Sequence, residues 1–239
     1  MLSKSQIKLI TSLKQKKFRL QHGLFVVEGL KTIAELLRSD LVLHSLYTTE
    51  SLNFDAKKEI LITEIELKRI SFFTTPNKAL AVFEIPKSEL IEENGLLVAL
   101  DTVRDPGNLG TIIRLCDWFG VKDLVCSKET VDCYNPKVIQ ATMGSITRVN
   151  ISYVELDDFL RNTNLPVYGA YMEGENVYTS ELPSHGILVM GNEAHGISTA
   201  IESFVSKKVS IPQFGDIKET ESLNVATATA ILLSEFRRN

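Results

Sequence analysis

Ile211-Pro-Gln-Phe-Gly-Asp-Ile-Lys-Glu-Thr-Glu-Ser-Leu-Asn-Val225 joins the end of one regular element to the start of another. Ahead of it, Lys208 to Ile211 has strand character. Behind it, Leu223 to Phe236 is small, apolar and free of glycine and proline, which predicts a helix. The joining loop is polar and acidic, with Asp216, Glu219 and Glu221. Two earlier stretches share the plan: Asp105-Pro-Gly-Asn-Leu-Gly-Thr-Ile-Ile-Arg114 and Met190-Gly-Asn-Glu-Ala-His-Gly-Ile197 each follow a short hydrophobic run and supply glycine, asparagine and a charged side chain. Such loops suit the carboxyl ends of strands, where an α/β sheet opens into a ligand crevice. The expectation is that all three build one site.

Outward from these loops the pattern alternates. Leu96 to Leu100 predicts a buried strand, Leu109 to Phe119 a helix, Asp123 to Cys126 a strand and Pro136 to Gly144 a helix. Strands over Val149–Tyr153, Val167–Tyr171 and Ile187–Met190 follow, with Leu156 to Arg161 helical between the first two. Continuously hydrophobic strands separated by helices predict a mainly parallel sheet covered on both faces. Upstream, Lys4 to Lys17 reads as one basic amphipathic helix, with Ile7, Leu9, Ile10 and Leu13 on its apolar side. Then come a strand at Leu24–Gly29, a helix at Leu30–Arg38, strands at Val42–Thr48 and Glu59–Thr63, a helix at Glu64–Phe73 and a strand at Ala79–Ile85. The polar segment Lys87 to Asn94 separates the halves, so two α/β domains are expected, at 1–88 and 95–239.

A chain of 239 residues with 44% hydrophobic and 23% charged residues has the composition of a globular protein with a sizeable core. Its net charge of -4 argues against wholesale nucleic-acid binding. Yet Lys4, Lys8, Lys14, Lys16, Lys17 and Arg19 all precede the first acidic residue, Glu28. They form a local cationic patch or a solvated helix face. Cys116, Cys126 and Cys133 lack metal-binding spacing and read as reduced core thiols. No apolar window is long enough to span a membrane and the N-terminus lacks a signal peptide's apolar core, so a cytoplasmic location is the expectation.

Within the loops, Asn108 is suited to cap the following helix. Arg114 falls on the first full turn of that helix, off the apolar stripe and near the loop mouth, where it either faces a ligand or pairs with Asp117. Glu193 stands at a strand's carboxyl end, as a catalytic group or a helix-capping carboxylate. The loop is no dinucleotide fingerprint, because Asn192 and Glu193 occupy positions where glycine would be needed, and His195 has no second metal ligand at a suitable spacing. Ser222 suits an N-cap, and Asn224 offers an amide at the start of the last helix.

In order and wording, the three stretches resemble the motifs of SpoU/TrmH-type RNA ribose 2′-O-methyltransferases of the SPOUT superfamily, over Gly95 to Asn239. Phe25-Val-Val-Glu-Gly-Leu-Lys31 and the basic helix before it more weakly resemble the L30e-like substrate-binding domain that precedes the methyltransferase domain in part of this family. The resemblance implies an α/β domain with a deep trefoil knot, a homodimer, an RNA substrate (ribosomal or transfer) and S-adenosylmethionine as cofactor, without metal or membrane. Residue by residue, it implies cofactor contacts from Gly191, Ile211 and Leu223, largely through backbone. Asn108 would fix Arg114, which acts on the ribose hydroxyl, and Glu193, Ser222 and Asn224 would complete the catalytic set. The chain departs from the family at Ala194, where glycine is common, and in its longer acidic loop. A knotted RNA-binding or assembly protein without turnover, and a nucleotide-dependent oxidoreductase, are the competing readings.

Overall fold

The computed structural model describes residues 1–52, 58–87, 89–215 and 222–238. Asp216, Glu219 and Glu221 lie outside the described residues. In chain order the helices are α1 (Lys4–Ser12), α2 (Lys16–His22), α3 (Leu30–Leu37), α4 (Glu64–Ile70), α5 (Pro106–Trp118), α6 (Pro136–Thr142), α7 (Leu156–Asn162), α8 (Thr199–Glu202) and α9 (Val225–Phe236). The strands are β1 (Leu24–Glu28), β2 (Leu43–Thr48), β3 (Glu59–Leu61), β4 (Ala79–Glu84), β5 (Leu96–Leu100), β6 (Asp123–Ser127), β7 (Asn150–Val154), β8 (Val167–Asn176), β9 (Gly186–Met190) and β10 (Lys207–Ser210). The chain divides into two compact units. One is Met1–Lys87 with Asp132–Thr147, the other Ser88–Val131 with Arg148–Asn239.

The first unit is built on a four-stranded sheet in the order β1-β4-β2-β3. β4 runs antiparallel to β1 and β2, and β3 runs parallel to β2. Side chains alternate across a strand. Leu24, Val26, Leu80 and Val82 therefore meet Ile10 and Leu13 of the N-terminal helical segment and Leu67 and Ile70 of α4 in one core. On the other side Phe25 stacks with Phe83 and meets the Tyr134 ring at 4.8 Å. Tyr134 comes from the segment Asp132–Thr147, whose α6 packs against β1. That grouping had no signature in the sequence, where these residues read as part of the second domain.

The single N-terminal helix expected over Lys4–Lys17 is two helices. Ser3 opens α1 with a reciprocal capping box to Gln6. After the break, Arg19 of α2 turns back, and its Nη1 donates to the carbonyls of Leu13 (2.8 Å) and Lys14 (2.9 Å). Its Nε and Nη2 donate to Asp132. The guanidinium, 2% exposed, thus satisfies carbonyls that a helix end leaves unpaired.

The second unit carries six strands in the order β10-β8-β9-β5-β6-β7, every pair parallel, as expected. Leu97, Ala99, Val125, Ile187 and Val189 face Leu156 and Leu160 of α7 and Ile201 of α8. The opposite face lies against α5 and α9, which pack together. There Phe236 sets its ring edge-on to Tyr168 at 5.2 Å. All three cysteines are buried and outside any disulfide. No helix is long and apolar enough to cross a membrane among the described residues.

Two helix starts differ from expectation. Asp105, rather than Asn108, caps α5, its carboxylate accepting from the Asn108 N–H at 2.8 Å, with Pro106 in the first turn. Asn224, rather than Ser222, caps α9, its Oδ1 accepting from Ala226 and Thr227. The helix that starts at Asp105 frees the Asn108 side chain for other work.

Candidate active site

α5 begins three residues earlier than its apolar pattern suggested, so Asn108 sits inside its first turn. Its Nδ2 donates to Glu193 Oε1 at 3.0 Å, and its Oδ1 accepts from Asn224 Nδ2 at 2.9 Å. A carboxylate only accepts, so Glu193 dictates the orientation of the Asn108 amide, and Asn108 in turn dictates that of Asn224. This relay ties together the start of α5, the loop after β9 and the start of α9. All three are stretches that the sequence picked out.

Glu193 is held from several sides. Besides Asn108, the backbone N–H groups of Arg104 (3.3 Å) and Asp105 (3.2 Å) donate to its two oxygens. Partial burial alone would raise its pKa. The hydrogen bonds from Asn108, its own backbone, Asp105 and Arg104 outweigh that and hold the carboxyl below its ordinary value. The group is therefore an anion at neutral pH.

The loop around it is tightly folded. Asn192 and Gly196 exchange backbone hydrogen bonds at 2.9 Å each way, and Gly196 takes a left-handed φ of 67°. A Cβ on Gly191 would fall 2.2 Å from the Gly196 carbonyl carbon and 2.3 Å from the Ile197 nitrogen, so only glycine fits there. Ala194 is not among the residues with positive φ, so its departure from glycine costs no backbone strain.

Gly191, Glu193, Ile211, Ser222, Leu223 and Asn224 line one cavity of about 1290 Å³ beyond the carboxyl ends of β9 and β10. Its wall is mixed, with Met190, Ile197 and Leu232 beside Glu173, Glu202 and Lys208. Six of the eight candidate site residues thus share one cavity, and Asn108 joins it through Glu193 and Asn224. Arg114 stands apart. It is exposed on α5 and makes no side-chain hydrogen bond or ion pair among the described residues. The expected alternative partner, Asp117, pairs with Arg148 instead (2.8 Å). Asn108, expected to fix Arg114, spends its amide on Glu193 and Asn224. No group of three or more His, Cys, Asp or Glu residues could hold a metal among the described residues.

Sequence reading missed Asn192, Asp101 and Thr102. In the sequence Asn192 stands out only as a position where a dinucleotide motif would need glycine. Asp101 directly follows a predicted buried strand, and its 4% exposure is visible only in the fold.

With this geometry established, comparison with known proteins gives a consistent result. Residues 95–234 match the SpoU rRNA Methylase family, and residues 4–81 match the MRM3-like substrate binding domain. The chain is 30% identical to the Bacillus subtilis protein named 23S rRNA (guanosine(2553)-2′-O)-methyltransferase RlmP, over 93% of this chain and 92% of that one. A Porphyromonas gingivalis structure assigned to the TrmH family of RNA methyltransferases superposes with a TM-score of 0.90 at 40% identity, covering 100% of this chain and 99% of that one. An AdoMet-bound rRNA methyltransferase from Sinorhizobium meliloti superposes with a TM-score of 0.88 at 31% identity, covering 100% and 97%. Matched over more than half its length, the chain belongs to the SpoU rRNA methylase family.

Proposed function

We infer that the chain is an S-adenosylmethionine-dependent RNA methyltransferase acting on a ribose 2′-hydroxyl, with ribosomal RNA the first substrate class to test. The observation that carries this reading is the Glu193–Asn108–Asn224 relay, which joins three motif loops at the rim of one cavity. The name of the Bacillus subtilis relative and the cofactor of the Sinorhizobium meliloti structure support the substrate and cofactor classes.

Gly191, Ile211 and Leu223 are proposed to hold the cofactor, chiefly through backbone groups. The Gly191 cradle and the partly apolar wall suit a nucleoside with a charged tail. Bound S-adenosylmethionine supplies a methyl group activated by its cationic sulfur. In the transfer, a bond forms from the ribose 2′-oxygen to the methyl carbon, the carbon–sulfur bond breaks and the hydroxyl proton departs. The protein's contribution is alignment and charge placement. Arg114, which has no side-chain partner among the described residues, would orient and polarise the hydroxyl; a guanidinium donates hydrogen bonds and accepts none, so substrate phosphate is proposed to take the proton. Glu193 and Asn224 would hold Asn108 and the loop rims in register, and Ser222 would complete the polar rim.

The same proposal includes a trefoil knot formed as the chain returns to α9, an L30e-like N-terminal domain within 1–88 that presents its lysines to RNA, a methyltransferase domain at 95–239, a homodimer and a cytoplasmic location. The deciding experiment is transfer of labelled methyl from S-adenosylmethionine to total RNA from a strain lacking the gene, with nucleoside analysis. Label in a 2′-O-methyl nucleoside is expected; label only in a base would overturn the ribose assignment. Sedimentation of the purified protein tests the dimer.

A further inference from the structure

Thr102 has a backbone φ of 61°, one of two non-glycine residues with positive φ among those described. This conformation is unfavourable for a β-branched residue and persists only where its surroundings impose it. Every polar group of Thr102 is engaged. Its N–H donates to Ser127 Oγ (3.0 Å), its hydroxyl donates to Asp101 Oδ1 (3.1 Å) and its carbonyl accepts from Asn192 Nδ2 (2.7 Å). Asp101, buried, accepts with its other oxygen from the Ser198 N–H at 2.7 Å, just past the Gly191–Ile197 loop. Two and three residues after Thr102 come the N–H groups of Arg104 and Asp105 that hold Glu193.

We propose that Asn192 is a positioning residue for methyl transfer: by holding the Thr102 carbonyl it keeps the chain in a left-handed turn that aims the Arg104 and Asp105 amides at Glu193. Adjacent residues of one loop then bond the other in opposite senses, Asn192 donating to a carbonyl and Glu193 accepting from two amides. Such a two-way tie fixes both the separation of the loops and their rotation. The Asn192 Oδ1 also accepts from the Ala194 (2.9 Å) and His195 (3.2 Å) N–H groups, so its amide cannot turn without losing the loop's internal bonds. Asn192 lines the cavity, but the proposal assigns it no contact with the reacting atoms. The kinetic part of this proposal rests on the function inferred above.

Two variants separate its parts. Asn192→Asp keeps an acceptor for the loop amides and removes the donor to Thr102 (2.7 Å) and, at 3.5 Å, to Glu193; Asn192→Ala removes acceptor and donor. In each, hydrogen exchange at the Arg104 and Asp105 amides is expected to quicken by at least about tenfold. The kcat for methyl transfer to RNA is expected to fall about 10²-fold, with KM for S-adenosylmethionine changed less than about threefold. Adding Thr102→Gly to Asn192→Ala should recover part of the lost kcat, because glycine enters the left-handed region without steric cost. A purely structural role would lower stability and produce no such rescue. Unchanged exchange in both variants, an unchanged kcat, or no recovery in the double variant would overturn the assignment. Should Asn192→Ala fail to fold, Asn192→Asp carries the test through exchange and kcat. If the wild-type protein labels no RNA, the function fails, and the exchange result still decides whether Asn192 holds the turn.

Discussion

Each unit contains an arginine and a glutamate of note, and they are used in opposite ways. In the N-terminal unit, Arg19 is buried with its donors spent on Asp132, Leu13 and Lys14. Glu28, 7% exposed, accepts from the Ser71 hydroxyl and the Phe72 N–H. In the C-terminal unit, Arg114 is exposed with no side-chain partner among the described residues, and Glu193 sits at a cavity rim. Both glutamates accept side-chain and backbone hydrogen bonds, yet burial wins at Glu28 and raises its pKa, whereas the donors win at Glu193 and lower it. The lesson is that hydrogen bonding alone does not set a carboxyl's charge. The balance against desolvation does, and that balance separates the charge that builds a fold from the charge a site presents.

The contrast between the arginines can be broken most directly. Arg114→Ala is expected to lower kcat for methyl transfer by roughly 10³-fold while leaving S-adenosylmethionine affinity within about threefold, measured by single-turnover labelling and calorimetry. Retained turnover would remove Arg114 from the chemistry. Arg19→Met should instead act on stability, costing about 3 kcal/mol in denaturant unfolding, because it strands Asp132 and two helix-end carbonyls. The cofactor affinity of whatever protein remains folded should be unchanged, and a stability equal to wild type would show that the buried pair contributes nothing net.

The glutamates predict smaller effects of opposite sign. Glu193 has a folded pKa below its ordinary 4.5, so its stabilising contribution is present above that value and is lost as pH falls through the lowered folded value. Glu28 has a folded pKa above 4.5, so its contribution is present below that value and is lost as pH rises through the raised one. Glu193→Gln should therefore flatten the acid-side loss of stability. Glu28→Gln should remove a decline on the other side of 4.5. Urea unfolding across pH 3 to 7 reads both through the sign of the slope. Slopes of the same sign for both residues would sink the comparison.

Much of this arrangement was legible in the sequence. The strand Leu96–Leu100 is a continuous apolar run because both faces of its sheet are covered, and the structure places it at those bounds. Glycine, asparagine and charge marked the three loops, whose residues do converge. Helix starts were not legible, because two capping side chains compete at each of them, Asp105 with Asn108 and Ser222 with Asn224. Local propensity cannot rank such neighbours once one of them is drawn into a distant bond. The Asn108–Glu193 and Asn108–Asn224 bonds span 85 and 116 residues, and the Arg19–Asp132 bond spans 113. No periodicity records contacts of that range. Thr102 gave no signal at all, since a threonine in a left-handed turn violates the preference that a reader would apply.

The packing of Tyr134 and α6 against β1 has a consequence for the order in which the protein is made. The four strands of the first unit and α3, which packs on β1 and β4, have all left the peptidyl-transferase centre by Glu84, but Tyr134 and α6, which also pack on β1, belong to a segment that begins only at Asp132. At roughly 5–20 residues per second, the nascent sheet waits several seconds for the Tyr134 ring that meets Phe25. During that interval it is a client for any chaperone that reads apolar surface. A chain ended at residue 94 should keep that exposure permanently, binding a hydrophobic dye and melting without a sharp transition. The N-terminal unit is thus translated in two instalments.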